Sequence, residues 1–306
     1  MNEEWNCRRY KPLTVWQIGG YTWPFKQSLA YFGRAEPRVK RLKVFEVMAI
    51  ETGAYGAVLF EKVAKAGWLE PMPKRIRAIA NDEIIADSTD ALLLLEYGRM
   101  PTYLLPMADV RMDLLEESDK ETDSDDKGKA RFWNLKVGDK LEKNAAWCYP
   151  EAPAPIEHLA KYIAFKWRAM DTWLEEDEEV IDHPRQPYHR VDILRSQREV
   201  TVEHGGVVLA KTSRALFIYE TAMLTRYYIP ETDINMEYLE PSSHHTGCPY
   251  KGTASYWNIN SGEKKIRNGA WAYPNPLAGA ERLAGHIAFY NEKVDRITVD
   301  GKQTNA

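Results

Sequence analysis

Along residues 200–290 the apolar positions fall into short runs rather than long stripes. Val200-Thr201-Val202-Glu203 and Val207-Val208-Leu209-Ala210 flank His204-Gly205-Gly206, which has the length and turn chemistry of a β-hairpin. Leu216 to Tyr219 and Tyr227 to Ile229 are β-branched and aromatic. Ile234 to Leu239 alternates Ile, Met and Tyr with polar residues, and Ala254 to Ile259 alternates around Tyr256 and Trp257. Each run reads as a strand. Helical spacing shows in Ala280 to Tyr290, where Leu283, Ile287 and Tyr290 share a side, with Ala284 and Ala288 beside them.

The same pattern stands 124 residues earlier. Residues 86–171 lie over 210–295 without a gap and share 32 identities in 86 positions. Unrelated segments of ordinary composition would share roughly 5. The chain is therefore a tandem duplication. Identical pairs include Glu96/Glu220, Asp109/Asp233, Lys127/Lys251, Gly128/Gly252, Trp133/Trp257, Asn144/Asn268, Trp147/Trp271 and Tyr149/Tyr273. The late helical spacing recurs through Leu159, Ile163 and Trp167. Many short strands with one late helix in each copy predict a mainly β (α+β) fold, an antiparallel β domain with one covering helix, built twice.

The expected boundaries are an N-terminal extension over 1–67 packed on copy one, copy one over 68–174, a linker over 175–190 and copy two over 191–306. The linker combines the run Glu175-Glu176-Asp177-Glu178-Glu179 with Pro184 and Pro187. Residues 44–66 have the length of a helix, weakened by Gly53 and Gly56.

Composition narrows the class. With 44% hydrophobic residues, 28% charged residues and no apolar run near the ~20 residues of a membrane helix, the chain reads as globular, with no membrane partner. Lys and Arg number 41 against 45 Asp and Glu, so there is no basic footprint for nucleic acid. The start of the chain lacks a secretory pattern, and Cys7, Cys148 and Cys248 form neither a disulfide framework nor a CxxC clamp, which fits a cytoplasmic protein. Neither GxGxxG nor GxxxxGK[ST] occurs, so a doubly wound nucleotide fold has no support. Aromatic residues reach 11%.

The densest chemistry lies in His244-His245-Thr246-Gly247-Cys248-Pro249-Tyr250-Lys251-Gly252, read as a loop held by Pro249 and Gly252. Cys248 is the candidate nucleophile, His245 the candidate proton carrier, and Lys251 the group that stabilises an oxyanion or forms an imine. Against this, a lone cysteine is commonly a small buried hydrophobe and a lysine before glycine a solvated turn residue. Adjacent histidines with one cysteine are not a standard metal spacing, so no metal and no cofactor is assigned. Tyr227, Tyr250, Tyr256, Trp257 and Trp271, with Arg214 for an anionic group and Asn268 for a carbonyl, are the candidate ligand-binding set of an aromatic cleft. Core packing accounts for about half of these rings, and Asn144 and Asn268 serve equally as turn residues.

The run Cys248-Pro249-Tyr250-Lys251-Gly252-x-Ala254-x-Tyr256-Trp257 is preceded by Tyr227-Tyr228-Ile229-Pro230. It is followed by Trp271-x-Tyr273-Pro274 and by Gly285-x-Ile287-Ala288-Phe289-Tyr290. Together these segments resemble the DUF427 family, and from about Trp68 onward the chain looks like its tandem two-copy members. The resemblance implies a compact fold of the β-tent or Mss4-like group and a family sometimes labelled putative nucleotidyltransferase. Copy one departs from the motif, with Asp123-Ser124-Asp125-Asp126 before Lys127-Gly128, which is either a solvated acidic loop or an adaptation to a cationic ligand.

Three functions remain at this level: a cofactor-independent lyase, isomerase or hydrolase acting on a small organic molecule; a non-catalytic binding module in which the repeat forms an intrachain pseudo-dimer; and a metal-dependent nucleotidyltransferase using Glu220 and Asp233. Homo-oligomer formation is compatible with all three.

Overall fold

The computed structural model describes residues 15–18, 21–24, 61–63, 67–96, 98–261 and 264–304. The chain forms two compact units, Met1–Glu46 and Val47–Ala306. The described part of the first is the antiparallel hairpin of Val15–Ile18 with Tyr21–Pro24. The second unit holds both copies.

From Gly67–Pro71 in copy one and Val191–Arg195 in copy two, every strand has its counterpart 124 residues away. In copy two, Val191–Arg195, Leu216–Glu220, Arg226–Pro230, His286–Phe289, Lys264–Ala272, Gly252–Ser261 and Leu239–Cys248 form one seven-stranded sheet in that order. Val207–Thr212, Val200–His204, Arg296–Val299 and Lys302–Gln303 form a second sheet. Copy one repeats both sheets, its larger one extended to eight strands by Glu61–Val63 beside Gly67–Pro71. The pairings in these sheets are antiparallel.

Period-two alternation divides the large sheet into two apolar faces. In copy two Phe217, Tyr227, Ile229, Ile287 and Phe289 cluster with Val200, Val202, Leu209, Ile297 and Val299 of the small sheet. The alternate residues Leu216, Ile218, Tyr228 and Ala288 cluster instead with Tyr256, Trp271, Tyr273 and Leu283. Copy one divides in the same way, with Leu93, Tyr103 and Leu105 in one cluster and Leu94, Leu104 and Tyr149 in the other.

Three expectations change. The covering helix is not there: Ala280–Tyr290 contains the 3-10 turn Glu281–Leu283 and then the strand His286–Phe289, and copy one matches with Glu157–Lys161 and Tyr162–Phe165. That strand lies between Arg226–Pro230 and Lys264–Ala272 and is buried on both faces, so its residues form a continuous apolar run that mimics helical spacing. Ile234–Leu239 is also no strand; the 3-10 turn Met236–Tyr238 occupies its centre. The helix expected over 44–66 falls outside the described residues except for Glu61–Val63, which is a strand. Among the described residues no helix is long and apolar enough to cross a membrane.

Candidate functional site

The stretch read as a loop is mostly strand. His244 to Cys248 ends the strand Leu239–Cys248, and Pro249-Tyr250-Lys251 turns the chain into Gly252–Ser261, Cys248 pairing with Gly252. Gly252 has φ +109°, and a Cβ there would stand 3.1 Å from the Asn275 carbonyl oxygen. Gly128 repeats this at φ +78°, 3.0 Å from the Glu151 carbonyl. Both constraints explain why each copy keeps a glycine after its lysine.

This turn sends Lys251 inward. Its ammonium bonds the Glu220 carboxylate, with the two side chains only 9% and 10% exposed. In copy one Lys127 Nζ lies 2.6 Å from Glu96 Oε1, at 4% and 12% exposure. Two of the identical sequence pairs are thus one buried ion pair built twice. Taking both charges out of water costs several kcal/mol, so each pair holds only while both members are present.

The copies differ in what else reaches the carboxylate. In copy one it is Arg99, whose Nη1 is 3.8 Å from Glu96. In copy two it is His189 of the linker, whose Nε2 lies 2.9 Å from Glu220 Oε1. Burial alone would push the Glu220 carboxyl up, but the Lys251 charge and the hydrogen bonds from Lys251 and His189 outweigh it and hold it below its ordinary value. Tyr250 stacks on the His189 imidazole with ring centroids 4.3 Å apart, and its hydroxyl accepts the Gln186 N–H at 2.9 Å. Arg185 Nε donates to the Pro249 carbonyl at 2.6 Å. The linker is therefore fastened onto the copy-two turn. Copy one has Asp126 where copy two has Tyr250, and Ser124 where it has Cys248.

The remaining candidate residues divide by position. Cys248 is half-buried against the second apolar cluster of copy two, on the same turn as Lys251. Cys148 is buried in copy one, where burial pushes its thiol up to about 11. His245 is exposed, and its Nδ1–H donates to the Ala254 carbonyl at 3.3 Å, so it shares no partner with Lys251. Arg214 bonds the Asp233 carboxylate with two nitrogens, and it and the Thr212 hydroxyl hold that carboxyl below its ordinary value. The strand Leu216–Glu220, about 13 Å long, separates Arg214 from the Glu220 end.

The aromatic set divides between the two cores. Tyr227 meets Phe217 edge-on at 4.8 Å in the cluster that Trp257 borders, whereas Tyr256 and Trp271 belong to the other, where Trp271 Nε1 donates to the Tyr228 hydroxyl at 2.8 Å. Of these rings Tyr250 alone caps the Lys251 turn. Asn268 sits at φ +50° with its N–H donating to Asn258 Oδ1 at 2.9 Å, and Asn144 does the same at φ +52° with Asn134 at 2.8 Å. Both lie at bulges inside the strands Lys264–Ala272 and Lys140–Cys148 rather than in turns. Glu220 and Asp233 are each neutralised by a cation and lie toward opposite ends of one strand, so they do not form the carboxylate pair that a nucleotidyltransferase reading needs.

Sequence reasoning missed His189, Arg185 and the pairing of Glu220. A signal was present: a glutamate and a lysine both identical at the 124-residue offset, in a chain whose duplicated charges are few, are candidates for each other.

Fold and site together define a mainly β protein in which one two-sheet unit occurs twice, each with a lysine turned inward onto a glutamate. The family described as "Domain of unknown function (DUF427)" matches this chain twice, over residues 68–176 and 192–300, and the chain belongs to it as a tandem-repeat member. No curated protein matches the chain.

Proposed function

We propose that copy two is a cofactor-independent enzyme that moves a proton on a small organic substrate, a lyase or isomerase in type, with His189, Glu220 and Lys251 as its acid–base array. The observation that carries this reading is the shared carboxylate. In copy one the second partner of the buried glutamate is an arginine, which has donors only; in copy two it is a histidine, whose two ring nitrogens can donate and accept a proton.

Glu220 holds His189 through Nε2, which leaves Nδ1 as the free nitrogen to take a proton from substrate and return it. Lys251 keeps Glu220 ionised, so that the carboxylate orients the imidazole and stabilises its charged form, as a carboxylate does in other His-centred sites. Tyr250 fixes the ring plane by stacking. His189 and Tyr250 are partly exposed whereas Lys251 is buried, so substrate meets the imidazole first. Cys248 borders this array, and His245 stands outside it.

Proton transfer to carbon can be detected before the substrate is identified. Pools of small organic acids and ketones are incubated in D2O with the protein and followed by proton NMR for deuterium entering a C–H position. Exchange should fall about 10²–10⁴-fold in His189→Gln, which retains the Lys251–Glu220 pair, and stay unchanged in Arg99→Gln of copy one. Exchange that persists in His189→Gln removes the assignment. A retained ligand with no exchange in the wild type favours the binding-module reading instead.

A further inference from the structure

A second feature of copy two lies away from the Lys251 turn. A cleft of about 720 Å³ opens at the Arg195 and Leu216 end of the large sheet, lined among others by Arg195, Arg214, Arg282, His286, Ser196 and Ser213. Its volume is that of a small-molecule site. Leu216 and Pro230 give it an apolar portion.

The charge is strongly one-sided. Three guanidinium groups and an imidazole line the cleft, and no carboxylate is among its lining residues. Arg214 is held by Asp233 just outside. Arg282 donates Nη1 to the Ile193 carbonyl at 3.3 Å, a neutral partner, and exposed Glu281 is its chain neighbour. Among the described residues Arg195 has no ion-pair partner. His286 donates Nδ1–H to the Ala284 carbonyl at 2.9 Å, which leaves Nε2 free of that bond.

Copy one provides an internal control, because it builds the same strands without these charges. At the positions 124 residues earlier, Arg195 becomes Pro71, Arg214 becomes Asp90, Arg282 becomes His158 and His286 becomes Tyr162. The fold has no need of three arginines here, and at one position copy one carries the opposite sign. The aspartate behind Arg214 has a separate structural role: Thr212 donates to Asp233 at 2.5 Å, and Ser88 donates to Asp109 at 2.6 Å in copy one. The arginines are additions laid on a shared frame, all facing one cavity.

We infer that this cleft is a binding site for a small organic oxyanion carrying at least two negative charges, with Arg195 and Arg282 as its charge-bearing contacts and Arg214, already paired with Asp233, as a wall residue. Guanidinium forks match carboxylate and phosphate oxygens, and Ser196 and Ser213 supply hydroxyl donors for the same oxygens. The site is independent of the proton-transfer reading, since it shares no residue with His189, Glu220 or Lys251.

Isothermal titration calorimetry of the full chain with inorganic pyrophosphate and with citrate, at low ionic strength, tests it. Saturable binding of at least one probe is expected, and comparing the two tells phosphate from carboxylate preference. Arg195→Gln and Arg282→Gln should each weaken binding about tenfold, because a charge-assisted contact is lost. Arg296→Gln, which removes an exposed arginine paired with Glu203 elsewhere, and His189→Gln should leave affinity unchanged. Absence of saturable binding to either probe at millimolar concentration overturns the inference, as does equal weakening by Arg296→Gln. Loss of D2O exchange in His189→Gln with retained pyrophosphate or citrate affinity separates this site from the proton-transfer array.

Discussion

Glu220 accepts from Lys251 and from His189 on one buried carboxylate, and that makes its ionisation a term in the stability of copy two. Its carboxyl is held below the ordinary glutamate value, so its stabilising contribution is complete above the unfolded value of about 4.3 and is lost as pH falls through the lower folded value. Glu220→Gln leaves Lys251 buried without a counter-charge, a change that costs about 3–5 kcal/mol near neutrality. Urea denaturation of wild type and Glu220→Gln from pH 7 down to pH 3 should show a gap that is widest at pH 6–7 and narrows below about pH 4. A gap constant with pH would mean that the carboxylate charge is not what the pair contributes. The residue scale is also where the sequence was least legible. The lysine was found as chemistry and the glutamate as a repeat identity, but nothing local joins positions 220 and 251, because the contact forms only when the sheet brings the turn over the end of another strand.

At the scale of elements, the turn that presents Lys251 depends on a backbone that side chains disfavour. Gly252→Ala would place a Cβ at φ +109° and 3.1 Å from a carbonyl oxygen, and should destabilise by about 1–3 kcal/mol. Gly279 also has positive φ, +89°, but open space around it, so Gly279→Ala should cost less. Chemical denaturation of the two variants checks the order, and equal losses would show that close approach adds nothing beyond φ. The strands around this turn were largely readable: Val200–His204 and Val207–Thr212 flank the expected hairpin, and the alternation over Ala254–Ile259 lies inside Gly252–Ser261. What misled was burial on both faces. Ile287, Ala288 and Phe289 are apolar in succession because a neighbour strand lies on each side and a core on each face, and that pattern carries no period of two.

At the scale of the molecule, the linker up to Glu179 repeats as strand at the 124-residue offset, and its later part joins the copies through adjacent residues. Tyr188 donates its hydroxyl to Glu70 of copy one, which also accepts Trp68 Nε1 at 3.3 Å, while His189 turns to Glu220 of copy two. Glu70 is buried, and its copy-two counterpart is the exposed Leu194, so the dock exists on one copy only. The 124-residue offset made the duplication plain from sequence, but this coupling has no counterpart at that offset and was invisible to it. Residues 47–306 form one compact unit, so the copies should unfold together as long as the dock holds. Tyr188→Ala removes both the hydrogen bond to a charged acceptor and the ring that lies 6.0 Å from Trp68, and leaves His189 in place. Differential scanning calorimetry should show a single transition in the wild type, and in Tyr188→Ala a lower midpoint with a calorimetric enthalpy exceeding the van't Hoff value as the copies begin to melt separately. If the variant keeps equal enthalpies and the wild-type midpoint, the copies are coupled by their other contacts, such as Arg185 to Pro249, and the tyrosine is a surface ornament of the linker.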